Sequence, residues 1–153
     1  MAITTEFVVG HPEMDAQHHA IQHLVNDVHR ALGAADVPGT LRALEALWNG
    51  CVSHFANEDS LMEEYAYPER NPHRTAHHLF LEDLKELLRV AESEGLSDKV
   101  GTWALTRVPE WLAFHIETND APLARHIARR TAARVVANMR GENEPPKSRG
   151  RDA

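Results

Sequence analysis

The chain has 153 residues, a net charge of −7 and a single cysteine, Cys51. That length suits one domain with a sizeable core, and one cysteine excludes an internal disulfide and any cysteine-rich zinc site. No apolar run approaches the roughly 18 residues of a membrane helix, and "MAITTEFVVGHPEMD" has no charged segment leading into an apolar one, so a cytoplasmic protein without signal peptide or membrane insertion is expected. Helical periodicity dominates and strand signals are sparse, which predicts an all-α fold. The first helix is expected from Pro12 to Leu32, with Met14, His18, Ile21, Val25, Val28 and Leu32 on one stripe and Gly33 as the stop. The second starts near Pro38 after Asp36, carries Leu41, Leu44, Trp48, Cys51, Phe55, Glu58, Leu61, Met62 and Tyr65, and ends before Pro68. The third has Asn71 as its cap and Pro72 at its first position, presents Phe80, Leu81, Leu84, Leu88 and Ala91, and stops at Gly95. The fourth starts near Ser97 and carries Val100, Ala104, Val108, Trp111, Leu112 and His115. Pro109 removes a backbone donor and should kink or restart it.

Short connections between four such helices predict an up-down-up-down four-helix bundle over residues 1–122. Pro122 is expected to reset the chain. Leu123 to Met139 then forms an additional basic helix (residues 123–140), followed by a Pro/Gly-rich disordered tail over 141–153. Charge follows this division: residues 1–122 hold 20 acidic against 8 basic side chains, and residues 123–153 hold 3 against 8. Nucleic acid does not suit so acidic a body. The basic helix packs on that body or offers a surface to a protein partner.

Eleven histidines are the compositional anomaly. Residues four apart on a helix lie about 40° apart around its axis and share a face. "HFANE" therefore aligns His54 with Glu58, and "HRTAH" aligns His73 with His77. His18 and His115 lie on the apolar stripes of their own helices. Each helix thus aims coordinating atoms into an interior that accepts unpaired polar groups only at several kcal/mol each. Asp120 follows His115 by five residues, about 140° around an ideal helix. A π-type turn or local unwinding before Pro122 is expected to bring it round. Seven donors exceed the needs of one tetrahedral zinc. Imidazoles with bridging carboxylates suit iron or manganese, and two ions fit the number. No Glu-x-x-His occurs, so the ferritin-like di-iron pattern does not fit.

The segments "VGHPEMDAQHHAI" (9–21), "HFANEDSLMEEYAYPERNPHRTAHHLF" (54–80) and "WLAFHIETND" (111–120) resemble bacterial hemerythrins. The resemblance implies a di-iron, non-heme centre that binds dioxygen reversibly, for storage, delivery or sensing, in a protein that is not an enzyme. It implies that one iron takes His73, His77 and His115, and that the other takes His18 and His54 and keeps one open position. Glu58 and Asp120 would bridge the Fe2+/Fe3+ pair together with an oxo or hydroxo group. Alternatives are a di-iron enzyme acting on peroxide or nitric oxide, and an iron-storage or iron-centre repair protein. Phe55, Met62, Trp111 and Leu112 are the candidates for an apolar wall around bound oxygen. Gly50 stands where the family often has a bulky residue, on the face of His54 and Glu58, and suggests extra space there. Asp15 and Gln17, in the D-x-Q-H signature, are candidates for capping and for hydrogen bonding to ligands.

Overall fold

The computed structural model describes residues 7–142, and no strand occurs among them. Three long helices come first: α1 (Pro12–Gly33), α2 (Val37–Glu64) and α3 (Arg70–Glu94). The fourth limb is continuous: α4 (Asp98–Thr102), a π-turn at Trp103–Arg107, α5 (Val108–His115), a second π-turn at Ile116–Asp120, and α6 (Ala121–Met139). The result is the expected all-α, up-down-up-down bundle, closed by short connections.

Local chemistry sets the helix starts. The Asp36 carboxylate accepts the Gly39 amide at 2.9 Å, and Ser97 Oγ accepts that of Val100 at 3.3 Å, each satisfying a first-turn donor. His11 caps α1, its Nδ1 accepting the Met14 amide at 3.3 Å with Pro12 in the first position. α3 starts earlier than the Asn71-Pro72 signal predicts. Its cap is Glu69, without a side-chain hydrogen bond, and Pro72 sits inside the first turn. Pro is tolerated there because that turn's amides have no helical acceptor.

Pro109 and Pro122 neither break nor restart the fourth limb. In each case the preceding amide reaches back five residues, Val108 to the Trp103 carbonyl and Ala121 to that of Ile116. The wider turn accommodates the ring that would clash in α geometry. One carbonyl loses its donor in the process. The Ala104 carbonyl cannot receive Val108, which is taken, nor Pro109, which has no N–H. His29 Nε2 donates to it instead, at 3.2 Å across the bundle.

Two apolar clusters form the core. The larger includes Ile21, Val25, Leu44, Leu47, Phe55, Phe80, Leu84, Leu87, Val108 and Leu112. The smaller joins Met14, Leu61, Met62, Tyr67, Leu123, Ala124 and Ile127. Along α1, α2 and the fourth limb the histidines and carboxylates fall between residues of the two clusters. α6 therefore begins as part of the core and not as a separate element after a reset. Further along, His126 Nε2 donates to the Tyr65 carbonyl at 2.8 Å, and the Arg134 guanidinium lies 4.6 Å over the Tyr65 ring. Its outer turns expose Val135, Val136 and Met139. Most of the expected tail, residues 143–153, lies outside the described residues.

Candidate metal centre

His18, His54, Glu58, His73, His77, His115 and Asp120 are all buried, and the fold brings the seven together. α1 supplies His18, α2 supplies His54 and Glu58, and α3 supplies His73 and His77 from its first two turns. The fourth limb supplies His115 and Asp120. These last two stand at either end of the second π-turn, whose extra residue per turn removes most of the 140° mismatch of an ideal helix.

The donor atoms form two overlapping groups. Glu58, His73, His77, His115 and Asp120 make one; His18, His54, Glu58 and Asp120 make the other. Glu58 faces both: Oε1 lies 2.9 Å from His54 Nε2, and Oε2 lies 3.0 Å from His77 Nε2 and 3.2 Å from His73 Nε2. Asp120 does the same, with Oδ2 at 2.9 Å from His18 Nε2 and Oδ1 at 3.0 Å from both His73 Nε2 and His115 Nε2. His77 Nε2 and His115 Nε2 are 3.0 Å apart.

Hydrogen bonding alone does not satisfy this set. Both Glu58 oxygens, Asp120 Oδ1 and both His73 nitrogens are buried without a hydrogen bond of good geometry. With neutral imidazoles the centre carries two buried negative charges, which need a cation or protons. Without metal, protons fill the role. Burial opposes the His18 imidazolium, but Asp120 and Glu58 outweigh it and push its pKa up to about 9. His73 behaves alike, burial being outweighed by Asp120 and Glu58, again to about 9. Burial also raises Glu58 and Asp120, yet the surrounding imidazoles hold both carboxyls below their ordinary range. His77 moves the other way: burial, helped by its histidine neighbours, lowers it despite Glu58. A divalent cation replaces those protons and satisfies the orphaned atoms together, so the donor set fits metal, and its mixed nitrogen and oxygen character fits iron.

Outward contacts orient the rings. His18 Nδ1–H donates to the Phe7 carbonyl at 3.1 Å, and His54 Nδ1–H donates to Gln17 Oε1 at 2.6 Å. Each bond places the proton on Nδ1 and leaves the Nε2 lone pair facing the centre. Asn57 Nδ2 also donates to Gln17 Oε1, at 3.2 Å. Asp15 caps the turn before α1, accepting the Val9 amide at 2.7 Å and the Gly10 amide at 3.2 Å.

The expected pocket wall is redistributed. Phe55 stacks on His77 with centroids 3.9 Å apart, and Trp111 stacks on His115 at 4.5 Å. Both rings cover the three-histidine group; Phe55 also approaches His54, at 5.7 Å. Leu112 packs behind them in the larger cluster, whereas Met62 belongs to the smaller one on the other side of the ligand layer. Phe80, stacked on Trp111 at 4.0 Å, extends the aromatic stack; the sequence pattern places it only on the apolar face of the third helix, because a core phenylalanine has no spacing that marks it as part of a site. Gly50 does not open a space: a Cβ built there would meet Leu24 Cδ1 at 2.5 Å, so Leu24 of α1 occupies that position. Cys51 is buried, and burial pushes its thiol up to about 12, which makes it inert.

Fold and site together define a helical bundle with a buried cluster of imidazole and carboxylate donors that fits a metal. The Hemerythrin HHE cation binding domain profile matches residues 9–127. The chain is 29% identical to a bacteriohemerythrin of Stenotrophomonas maltophilia over 78% of its own length and 76% of that protein. It is 32% identical to a bacteriohemerythrin of Pseudomonas aeruginosa over 71% and 69%, and 28% identical to the myohemerythrin of Sipunculus nudus over 63% and 78%. The chain belongs to the hemerythrin family. Among the described residues no helix is long and apolar enough to cross a membrane.

Proposed function

We propose that the seven side chains hold two iron ions and that the protein binds dioxygen reversibly, as a carrier, store or sensor and not as an enzyme. The observation that carries this reading is the sharing of Glu58 and Asp120 between both donor groups. His73, His77 and His115 complete one group; His18 and His54 leave the other one donor short, which is room for a small ligand. An oxo or hydroxo bridge between the ions belongs to the same reading. A ferrous pair held by these residues would supply the two electrons that dioxygen takes up and gives back.

The chain's own residues make that exchange reversible. Five neutral imidazoles add no negative charge to the centre, which disfavours the high-valent states of oxidising enzymes. Gln17 and the Phe7 carbonyl hold the two imidazoles of the less crowded group in one orientation. Phe55, stacked on His77 and 5.7 Å from the His54 ring, shields both groups from water, which slows loss of reduced oxygen and irreversible oxidation, and Trp111 and Phe80 extend that cover over the three-histidine group.

Loading the protein anaerobically with ferrous iron should give two irons per chain. Oxygen should then raise a visible charge-transfer band that vanishes on deoxygenation and returns. Rapid irreversible oxidation with peroxide release would favour the enzymatic alternative. Retention of both irons by His77→Ala would overturn the ligand assignment.

A further inference from the structure

Two histidines outside the buried centre form a pair of their own. His19 and His23 are one turn apart on α1, and both are exposed. Their Nε2 atoms lie 3.1 Å apart, with the rings near perpendicular at 88°. Both nitrogens cannot carry a proton on the line between them, so at least one Nε2 bears a lone pair, and both do when each neutral ring carries its proton on Nδ1. With metal–nitrogen bonds of about 2.0–2.1 Å, that 3.1 Å separation corresponds to a nitrogen–metal–nitrogen angle of roughly 95–100°. This angle lies between the square or octahedral value and the tetrahedral one, and so suits Cu2+, Ni2+ and Zn2+. His18, the neighbour in sequence, points about 100° away into the bundle and takes no part. Asp27, one turn beyond His23, is paired with Arg30, and Asp15, one turn before His19, accepts the Val9 and Gly10 amides, so neither carboxylate is counted among the donors.

We propose that His19 and His23 form a surface chelate for a divalent transition-metal ion, separate from the buried centre. The two imidazoles already stand at chelating distance on a rigid helix, so binding orders little further. The site takes its ion directly from solvent and does not depend on what fills the interior.

The test uses iron-loaded protein, so that the buried donors are occupied, titrated with Ni2+ and separately with Cu2+. One equivalent of each should bind, and the Cu2+ form should show electron paramagnetic resonance splitting from two nitrogens. His19→Ala or His23→Ala turns a chelate into a single-donor contact and should weaken binding by about 100-fold. The double variant should lose the equivalent while keeping its helix content and both irons. The proposal fails if the parent binds no Ni2+, if either single variant binds as tightly as the parent, or if the equivalent survives in the double variant. None of these outcomes bears on the oxygen reading, which the iron content and the reversible band test separately.

Discussion

Stripping the metal should make stability depend on pH in a window set by His18 and His73. Each imidazole rises from the ordinary 6.5 to about 9 in the folded protein, because Asp120 and Glu58 overcome the cost of burial. A folded-state pKa above the unfolded one stabilises fully below the unfolded value and is lost as pH rises through the folded value. Each shift corresponds to about 3 kcal/mol. The two imidazoles share the same carboxylates, so together they contribute roughly 4–5 kcal/mol, less than the sum of about 6. Against a total stability of about 5–15 kcal/mol, that loss is enough to bring metal-free protein near its unfolding threshold above about pH 9. On the acid side the sign reverses. Glu58 and Asp120 are depressed, so their contribution is present above the ordinary 4.5 and 3.8 and is lost as pH falls below them. Metal-free protein should therefore be most stable between about pH 4.5 and 6.5. Metal-loaded protein has no such imidazole protons to lose and should keep its stability across the same alkaline window. Urea unfolding of chelated and loaded protein at about pH 6 and about pH 9.5 measures the difference. A change below about 1 kcal/mol in the metal-free protein across that window would refute the charge balance described for the centre.

Gln17→Ala removes the acceptor that orients His54 and should weaken metal retention by about 10–100-fold, measured as the rate of iron loss to a chelator; an unchanged rate would mean that packing alone fixes the ring. His29→Ala strips the Ala104 carbonyl of its donor and should cost about 1–3 kcal/mol in urea unfolding. In a Pro109→Ala background a backbone amide becomes available to that carbonyl, and the cost should shrink; equal costs in both backgrounds would refute the coupling. Gly50→Ala places a methyl against the tip of Leu24, a flexible end that can turn aside, while helix propensity gains about 1 kcal/mol. The net change in the urea midpoint should correspond to less than about 1 kcal/mol, and a loss above about 2 kcal/mol would show that Leu24 is fixed.

The convergence of the seven side chains was legible because spacing by four fixes which side chains share a helical face, whatever the neighbouring helices do. Even Asp120 followed from arithmetic: five residues overshoot the face, and a π-turn is the local remedy. The same remedy hid the continuity of the fourth limb. Pro122 reads as a stop only while α geometry is assumed; once the turn widens, the helix runs on to Met139 and places Leu123 and Ile127 in the core. Gly50 illustrates a second limit. Its position on the face of Glu58 is intrahelical and readable, but the arrival of Leu24 depends on the register of α1 against α2, which no single helix encodes. His11 as a cap and Phe80 in the aromatic stack were missed for related reasons, since histidine is an uncommon cap and a core ring carries no periodic mark of what it touches.

The reach of the Asp120 contacts bears on the order in which the protein is made. Asp120 meets His18 across 102 residues of chain, so at about 5–20 residues per second the last of the seven donors leaves the ribosome roughly 5–20 s after the first. During that interval α1, α2 and α3 present four imidazoles and a single carboxylate, a donor set for one cation and not for a bridged pair. Leu123, Ala124 and Ile127, which cover Met14 and Met62, emerge later still. Completion of the seven-donor cluster is therefore a late event in biosynthesis, and the second shared carboxylate is absent until the fourth limb has emerged.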